Sequence, residues 1–127
     1  MAESRLYAFS VSALPQYVAE QSDPAKERYV FAYTMTIENV GTVAAQLISR
    51  HWIITDATGE IQEVRGLGVV GRQPLLQPGE KFVYTRGCQL DTPLGTMRGS
   101  YQMTAVDGRQ FEAEIPEFTL AVPHVLH

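Results

Sequence analysis

A single cysteine, Cys88, cannot close an intrachain disulfide, so the cysteine count gives no sign of an oxidising compartment. Positive charge is also scarce. Ten Lys and Arg against fourteen Asp and Glu leave a net charge of −4, which argues against bulk nucleic-acid binding, since that needs a basic excess. No run approaches the roughly 20 apolar residues of a membrane helix, so membrane insertion is not expected. Met1 to Ser10 holds no apolar stretch long enough for a signal peptide. The expected location is therefore the cytoplasm. Histidine is sparse as well: His51, His124 and His127 fall in no H-x-x-x-H spacing, there is no C-x-x-C, and no metal site or cofactor is predicted. Helical periodicity is missing beyond a single turn.

What is present is an ordinary globular composition, 45% apolar and 19% charged, in 127 residues. That suits one domain spanning 1–127, large enough to bury a core without staples. Turn signals recur at Ser22-Asp23-Pro24, Asn39-Val40-Gly41, Asp56-Ala57-Thr58-Gly59, Pro78-Gly79, Thr92-Pro93-Leu94-Gly95 and Asp107-Gly108. Between them the apolar period is two. Tyr29 to Glu38 alternates most cleanly, with Tyr29, Phe31, Tyr33, Met35 and Ile37 on one face. Met97 to Val106 is a second strand, and Asp107-Gly108 reads as a two-residue hairpin turn. The return strand points Phe111, Ala113 and Ile115 inward. Beyond Pro116 the parity passes to Phe118, Leu120 and Val122, which predicts a bulge or sheet switch at Ile115-Pro116-Glu117. Weaker strands cover Ala8–Ala13, Gln46–Thr55, Ile61–Arg65 and Lys81–Gly87. The expectation is an all-β fold: an immunoglobulin-like or fibronectin type III-like two-sheet antiparallel sandwich of seven to eight strands. Gly99-Ser100-Tyr101-Gln102-Met103 matches the Gly-x-Tyr-x-Cys run of a tyrosine corner, with Met103 in the cysteine position. Tyr101 is expected to bond an upstream backbone group and Trp52 to be the buried tryptophan of the third strand.

Gly66-Leu67-Gly68-Val69-Val70-Gly71 fits G-x-G-x-x-G, yet Pro74 and Pro78 forbid the helix that a dinucleotide fold needs next. The glycines then supply bulges and tight turns. A functional alternative keeps the backbone N–H groups of Gly66, Gly68 and Gly71, flanked by Arg65 and Arg72, as a nest for pyrophosphate or a nucleotide. Arg50-His51-Trp52 is the second candidate. With Trp52, Ile54 and Ile48 facing the core, Arg50 shares their parity. Either the strand is irregular there, or Arg50 sits at the rim paired with a carboxylate. Arg50, His51 and Trp52 are also a candidate interaction surface, since Arg and Trp are enriched in binding hot spots. No catalytic set is read: Cys88 has no nearby His, no G-x-S-x-G occurs, and Glu60 with Glu63 and Glu112 with Glu114 suit a solvated strand face.

The runs from Arg50 to Asp56, Val64 to Pro74, Pro78 to Glu80, Thr92 to Tyr101 and Ile115 to Phe118 resemble the ApaG family, across nearly the whole chain. The resemblance implies a fibronectin type III-like sandwich of bacterial type, similar to domains used for protein interaction in larger proteins. It also implies a link to cobalt resistance and magnesium efflux, with no established catalytic activity and no catalytic residue to carry over. The function expected is thus a non-catalytic binding module with a protein partner. Anion binding through Gly66–Gly71 is the alternative, and direct divalent-cation binding a weaker one. Open strand edges leave room for a homodimer.

Overall fold

The alternation of Tyr29–Asn39 has a direct structural result: Phe31, Tyr33, Met35 and Ile37 are all buried. In the computed structural model, which describes residues 6–123, this segment is the central strand of the smaller of two antiparallel sheets. The strands are β1 (Phe9–Tyr17), β2 (Tyr29–Asn39), β3 (Ala45–Asp56), β4 (Ile61–Leu67), β5 (Leu75–Leu76), β6 (Lys81–Leu90), β7 (Leu94–Ala105) and β8 (Gln110–Ala121). Two single 3-10 turns, Ala19–Gln21 and Pro24–Lys26, fill the β1–β2 connection. One sheet runs β1-β2-β6 and the other β4-β3-β7-β8, with β5 on the same edge of β3 as β4. This is the expected fibronectin type III-like sandwich.

The inner faces meet in one core around Phe31, Met35, Leu47, Trp52, Met97, Tyr101, Met103 and Leu120. Asn39 is the buried polar residue among the described ones. Its amide donates to the carbonyls of Val43 and Leu76 at 3.0 Å each and accepts from Gly41 N–H at 2.9 Å. It ties the β2–β3 crossing to β5 with no polar atom left unpaired, which removes the cost of burying an amide.

Two bulges set which residues face inward. In β8 the pairing steps from Met97↔Phe118 to Gly99↔Ile115, so Pro116 and Glu117 together oppose Arg98. The predicted parity change at Pro116 is therefore present, and both Ile115 and Leu120 are buried. In β3 the register slips between Leu47 and Ser49, leaving Ile48 unpaired against β7. Leu47 faces the core before the slip, Trp52 and Ile54 after it; Ile48, expected to face inward with them, is displaced from the core by the bulge.

Two sequence expectations need correcting, and one strand went unread. The β7–β8 hairpin is a three-residue loop rather than a two-residue one. Gly108 N–H bonds the Ala105 carbonyl at 2.9 Å, Ala105 N–H bonds the Arg109 carbonyl at 2.8 Å, and Gly108 alone in that turn adopts positive φ. Tyr101 does not reach back to the backbone. Its hydroxyl lies 2.7 Å from that of Tyr84 on the facing sheet, so the bond joins the sheets rather than closing a corner. The two-residue strand β5 is too short for any apolar period to announce it.

Candidate functional site: the open side of the sandwich

The two long sides of the sandwich differ. β1 packs against β8 and closes one of them. Tyr7 and Phe9 meet the Phe111 ring there, at 5.5 and 5.9 Å between centroids. On the other side the edge strands are β4 and β6, and a cleft of about 340 Å³ opens between them. That volume lies within the range of small-molecule sites.

The cleft is built from core-facing positions that the other sheet does not cover. β3 contributes Arg50, Trp52 and Ile54; their cross-strand partners on β4 are Gly66, Val64 and Gln62, of which Val64 and Gln62 also line the cleft. Gln62, Val64, Trp52 and Arg50 line the space, as do Tyr33 from β2 and Tyr84, Arg86 and Cys88 from β6. Two guanidinium groups thus enter from opposite sheets, and no carboxylate is among the lining residues. The acids Asp56, Glu60 and Asp91 line an adjoining hollow beyond Gln62 and Gln89.

The G-x-G-x-x-G run forms one end of this cleft. Gly68 N–H bonds the carbonyl of the bulged Ile48 at 2.8 Å, and the same carbonyl also accepts from Gln73 Nε2 at 2.8 Å. Val69 and Arg72 then exchange N–H···O bonds at 2.8 and 2.9 Å around a two-residue turn, Val70-Gly71. Positive φ at both residues, 45° and 77°, makes this a type I′ hairpin turn. Positive φ is strained for a β-branched residue, and strain of this kind concentrates at ligand clamps. The turn buries Val69 in the core, presents Val70 to the cleft and carries the Arg72 guanidinium to 5.7 Å from the Phe82 ring on β6. It therefore bridges the two sheets.

Arg50 is held by that same segment. Its Nη1 donates to the carbonyls of Leu67 and Gly68 at 3.0 and 2.9 Å, so its partners are carbonyls and not the carboxylate expected from sequence. The strand irregularity also expected there is present, as the Ile48 bulge. Gly66 is the reason Arg50 fits: a Cβ at that position would stand 2.8–2.9 Å from the guanidinium atoms. The Arg86 side chain has no hydrogen-bond or ion-pair partner among the described residues. Its register partner on β2 is Tyr33, and the fields of Arg86 and Arg50 both reach the Tyr33 and Tyr84 hydroxyls. Burial dominates there even so, raising the Tyr33 phenol to about 12 and the Cys88 thiol to about 11.

The residues singled out from sequence separate in space. Arg50 points into the cleft, Trp52 is buried in its floor with 3% of its surface exposed, and His51 lies on the outer face. Arg65 is on the outer face too, beside Ser49, Leu67, Gln102 and Glu112, whereas Arg72 turns to Phe82. In the glycine run, the N–H groups of Gly68, Val69 and Arg72 are already committed to carbonyls. His124 and His127 lie outside the described residues. Arg86, Tyr33 and Tyr84 were missed. A sequence signal existed for Arg86: it shares the parity of Phe82, Tyr84 and Cys88, the same anomaly that marked Arg50.

On the outer face His51 Nε2 lies 2.8 Å from a Glu63 carboxylate oxygen. Ser100 is its cross-strand neighbour, but the Ser100 hydroxyl accepts from Gln102 Nε2 at 2.9 Å and has no bond to His51. A serine and a histidine that are not joined form no nucleophile–base pair. Among the described residues no three His, Cys, Asp or Glu side chains converge as metal ligands would.

Fold and cleft define a class: a small fibronectin type III-like sandwich with an arginine-lined opening along one side. The ApaG domain model matches residues 19–105. The Protein ApaG of Thiobacillus denitrificans is 68% identical over 127 residues, and that of Dechloromonas aromatica 63%, each match covering both chains completely. The crystal structure of the putative ApaA protein from Bordetella pertussis superposes with a TM-score of 0.93 at 59% identity, covering 95% of this chain and 98% of that one. The chain belongs to the ApaG family.

Proposed function

We propose that this protein is a non-catalytic binding module that receives a partner protein along its open β4–β6 side. The observation that carries the reading is the asymmetry of the sandwich. One side is closed by β1 on β8, while the other leaves two strand edges with unpaired backbone groups. Ile61 and Leu67 on β4 and Val83 on β6 are exposed at 62%, 75% and 55%, an apolar rim beside those edges. Edges of this kind accept an added strand, with backbone hydrogen bonds for affinity and side-chain pockets for specificity. The link to cobalt and magnesium handling implied by family resemblance is then indirect, exerted through the partner. A cytoplasmic location suits this role, and no helix among the described residues is long and apolar enough to cross a membrane.

The test is capture of the partner by crosslinking and mass spectrometry from the native cell, with wild type and the double variant Ile61→Lys, Val83→Lys as baits. Lysines on the edges should block strand addition while leaving the core intact. The reading requires a partner enriched by wild type over a control sandwich and lost with the variant. Equal capture by both baits, or no enrichment, would overturn it.

A further inference from the structure

We propose that the cleft between β4 and β6 binds a small organic oxyanion, its phosphate or carboxylate head between Arg50 and Arg86 and its apolar body toward Trp52, Val64 and Val70. This rests on the reading that the β4–β6 side is the binding side, and it names a ligand class for that side.

Three observations carry it. Arg50 and Arg86 occupy inward-facing positions from opposite sheets and line the same 340 Å³ space, into which no carboxylate projects, in a chain whose net charge is −4. Arg50 is half-buried and Arg86 is exposed at the mouth, and no acid in the lining neutralises either. Arg50 is also half-satisfied in a directional way. Nη1 is tethered to the Leu67 and Gly68 carbonyls, while Nε and Nη2 have no partner among the described residues. No side-chain donor of Arg86 has a partner among the described residues. A tethered arginine fork with its outer donors unused is pre-organised for a planar or tetrahedral oxyanion. Lastly, the cleft ends at the strained Val70-Gly71 turn, which adds an apolar wall beside the charged one. Mixed apolar and cationic lining selects an anion with an apolar body over a bare ion.

The glycine run keeps a part in this site, though a different one from a backbone nest. Gly66 makes room for the Arg50 guanidinium, and the Gly68 carbonyl fixes it.

The experiment is a titration followed by fluorescence of Trp52, the chain's one tryptophan, with phenyl phosphate, benzoate, inorganic phosphate and phenol as probes. Phenyl phosphate or benzoate should give a saturable change by about 10 mM, and whichever is stronger assigns the head as phosphate or carboxylate. Inorganic phosphate should bind more weakly, and phenol weaker still. Arg86→Gln, which removes an exposed and unpartnered group, should weaken the anions at least about tenfold with an unchanged melting temperature. Arg86→Lys should restore part of the loss.

The inference is overturned by phenol binding as well as its phosphate, by unchanged affinity in Arg86→Gln, or by no saturable response to either anion. A blank titration with a partner still captured at the edges overturns the anion site alone. A saturable titration with no partner enriched overturns the protein-module reading alone.

Discussion

The Arg50 guanidinium lies across the Cα of Gly66, its cross-strand partner, and is fixed there by the carbonyls of the next two residues, Leu67 and Gly68. Glycine at 66 is thus a matter of space. Gly66→Ala would place a methyl group within 3 Å of the guanidinium, and the flexible end of Arg50 would have to swing away. The fold should survive with a loss of roughly 1–2 kcal/mol, since the tether goes while strand propensity improves. Chemical denaturation measures that loss. Anion affinity in the cleft should fall with it, because Arg50 is no longer held.

Val70 tests the turn. A type I′ turn favours Asn-Gly, and Val70 holds its first central position at φ 45°. Val70→Asn is expected to raise stability by about 1 kcal/mol, seen as a higher melting temperature. A fall in melting temperature would show that the Val70 side chain contributes more at the cleft wall than its backbone costs.

Tyr84 and Tyr101 join the two sheets by hydroxyls 2.7 Å apart, with Tyr101 fully buried. Tyr84→Phe or Tyr101→Phe leaves one hydroxyl without a partner and should cost about 1–3 kcal/mol. The double variant removes both polar groups. It should be destabilised by much less than the sum of the singles, and a denaturation cycle measures that coupling.

Alkaline stability follows from the same buried groups. Folding raises Cys88 from 9.0 to about 11 and Tyr33 from 10.0 to about 12, mainly through burial. Tyr101 is also raised, again mainly by burial. An acid whose pKa is higher in the folded state keeps its proton there while the unfolded chain loses its own. The stability these groups contribute is whole below the unfolded values and declines as pH rises from 9.0 through the folded values. Urea midpoints should hold level near neutral pH and then fall steadily above 9.0, and Cys88→Ala should flatten the first part of that fall.

Much of this fold was legible because its strands alternate. Phe31 to Ile37 announced their own burial, and the parity change past Pro116 announced the β8 bulge. The Ile48 bulge was half-legible: Arg50 signalled an irregularity without fixing its position. The partners of long polar side chains were not legible. Tyr101 and Tyr84 belong to different sheets, and Arg50 is satisfied by carbonyls that every residue carries. The cleft itself was hidden for a related reason. It is assembled from five strands, and only sheet order reveals that β4 and β6 stand apart. The tripeptide Arg50-His51-Trp52 drew attention as a unit, whereas strand geometry sends its middle residue to the opposite face.

Anion binding between the sheets at Arg50 and Arg86 can be observed at the arginines themselves. The most direct measurement is the side-chain Nε–H resonances of the arginines by NMR during a titration with phenyl phosphate. The Arg50 and Arg86 signals should move together and saturably, with the Gly66 and Cys88 amides following and His51 and Ser100 on the outer face unmoved. Movement confined to the amides of Val70 to Arg72, or to the outer face, with both arginine signals still, would contradict it.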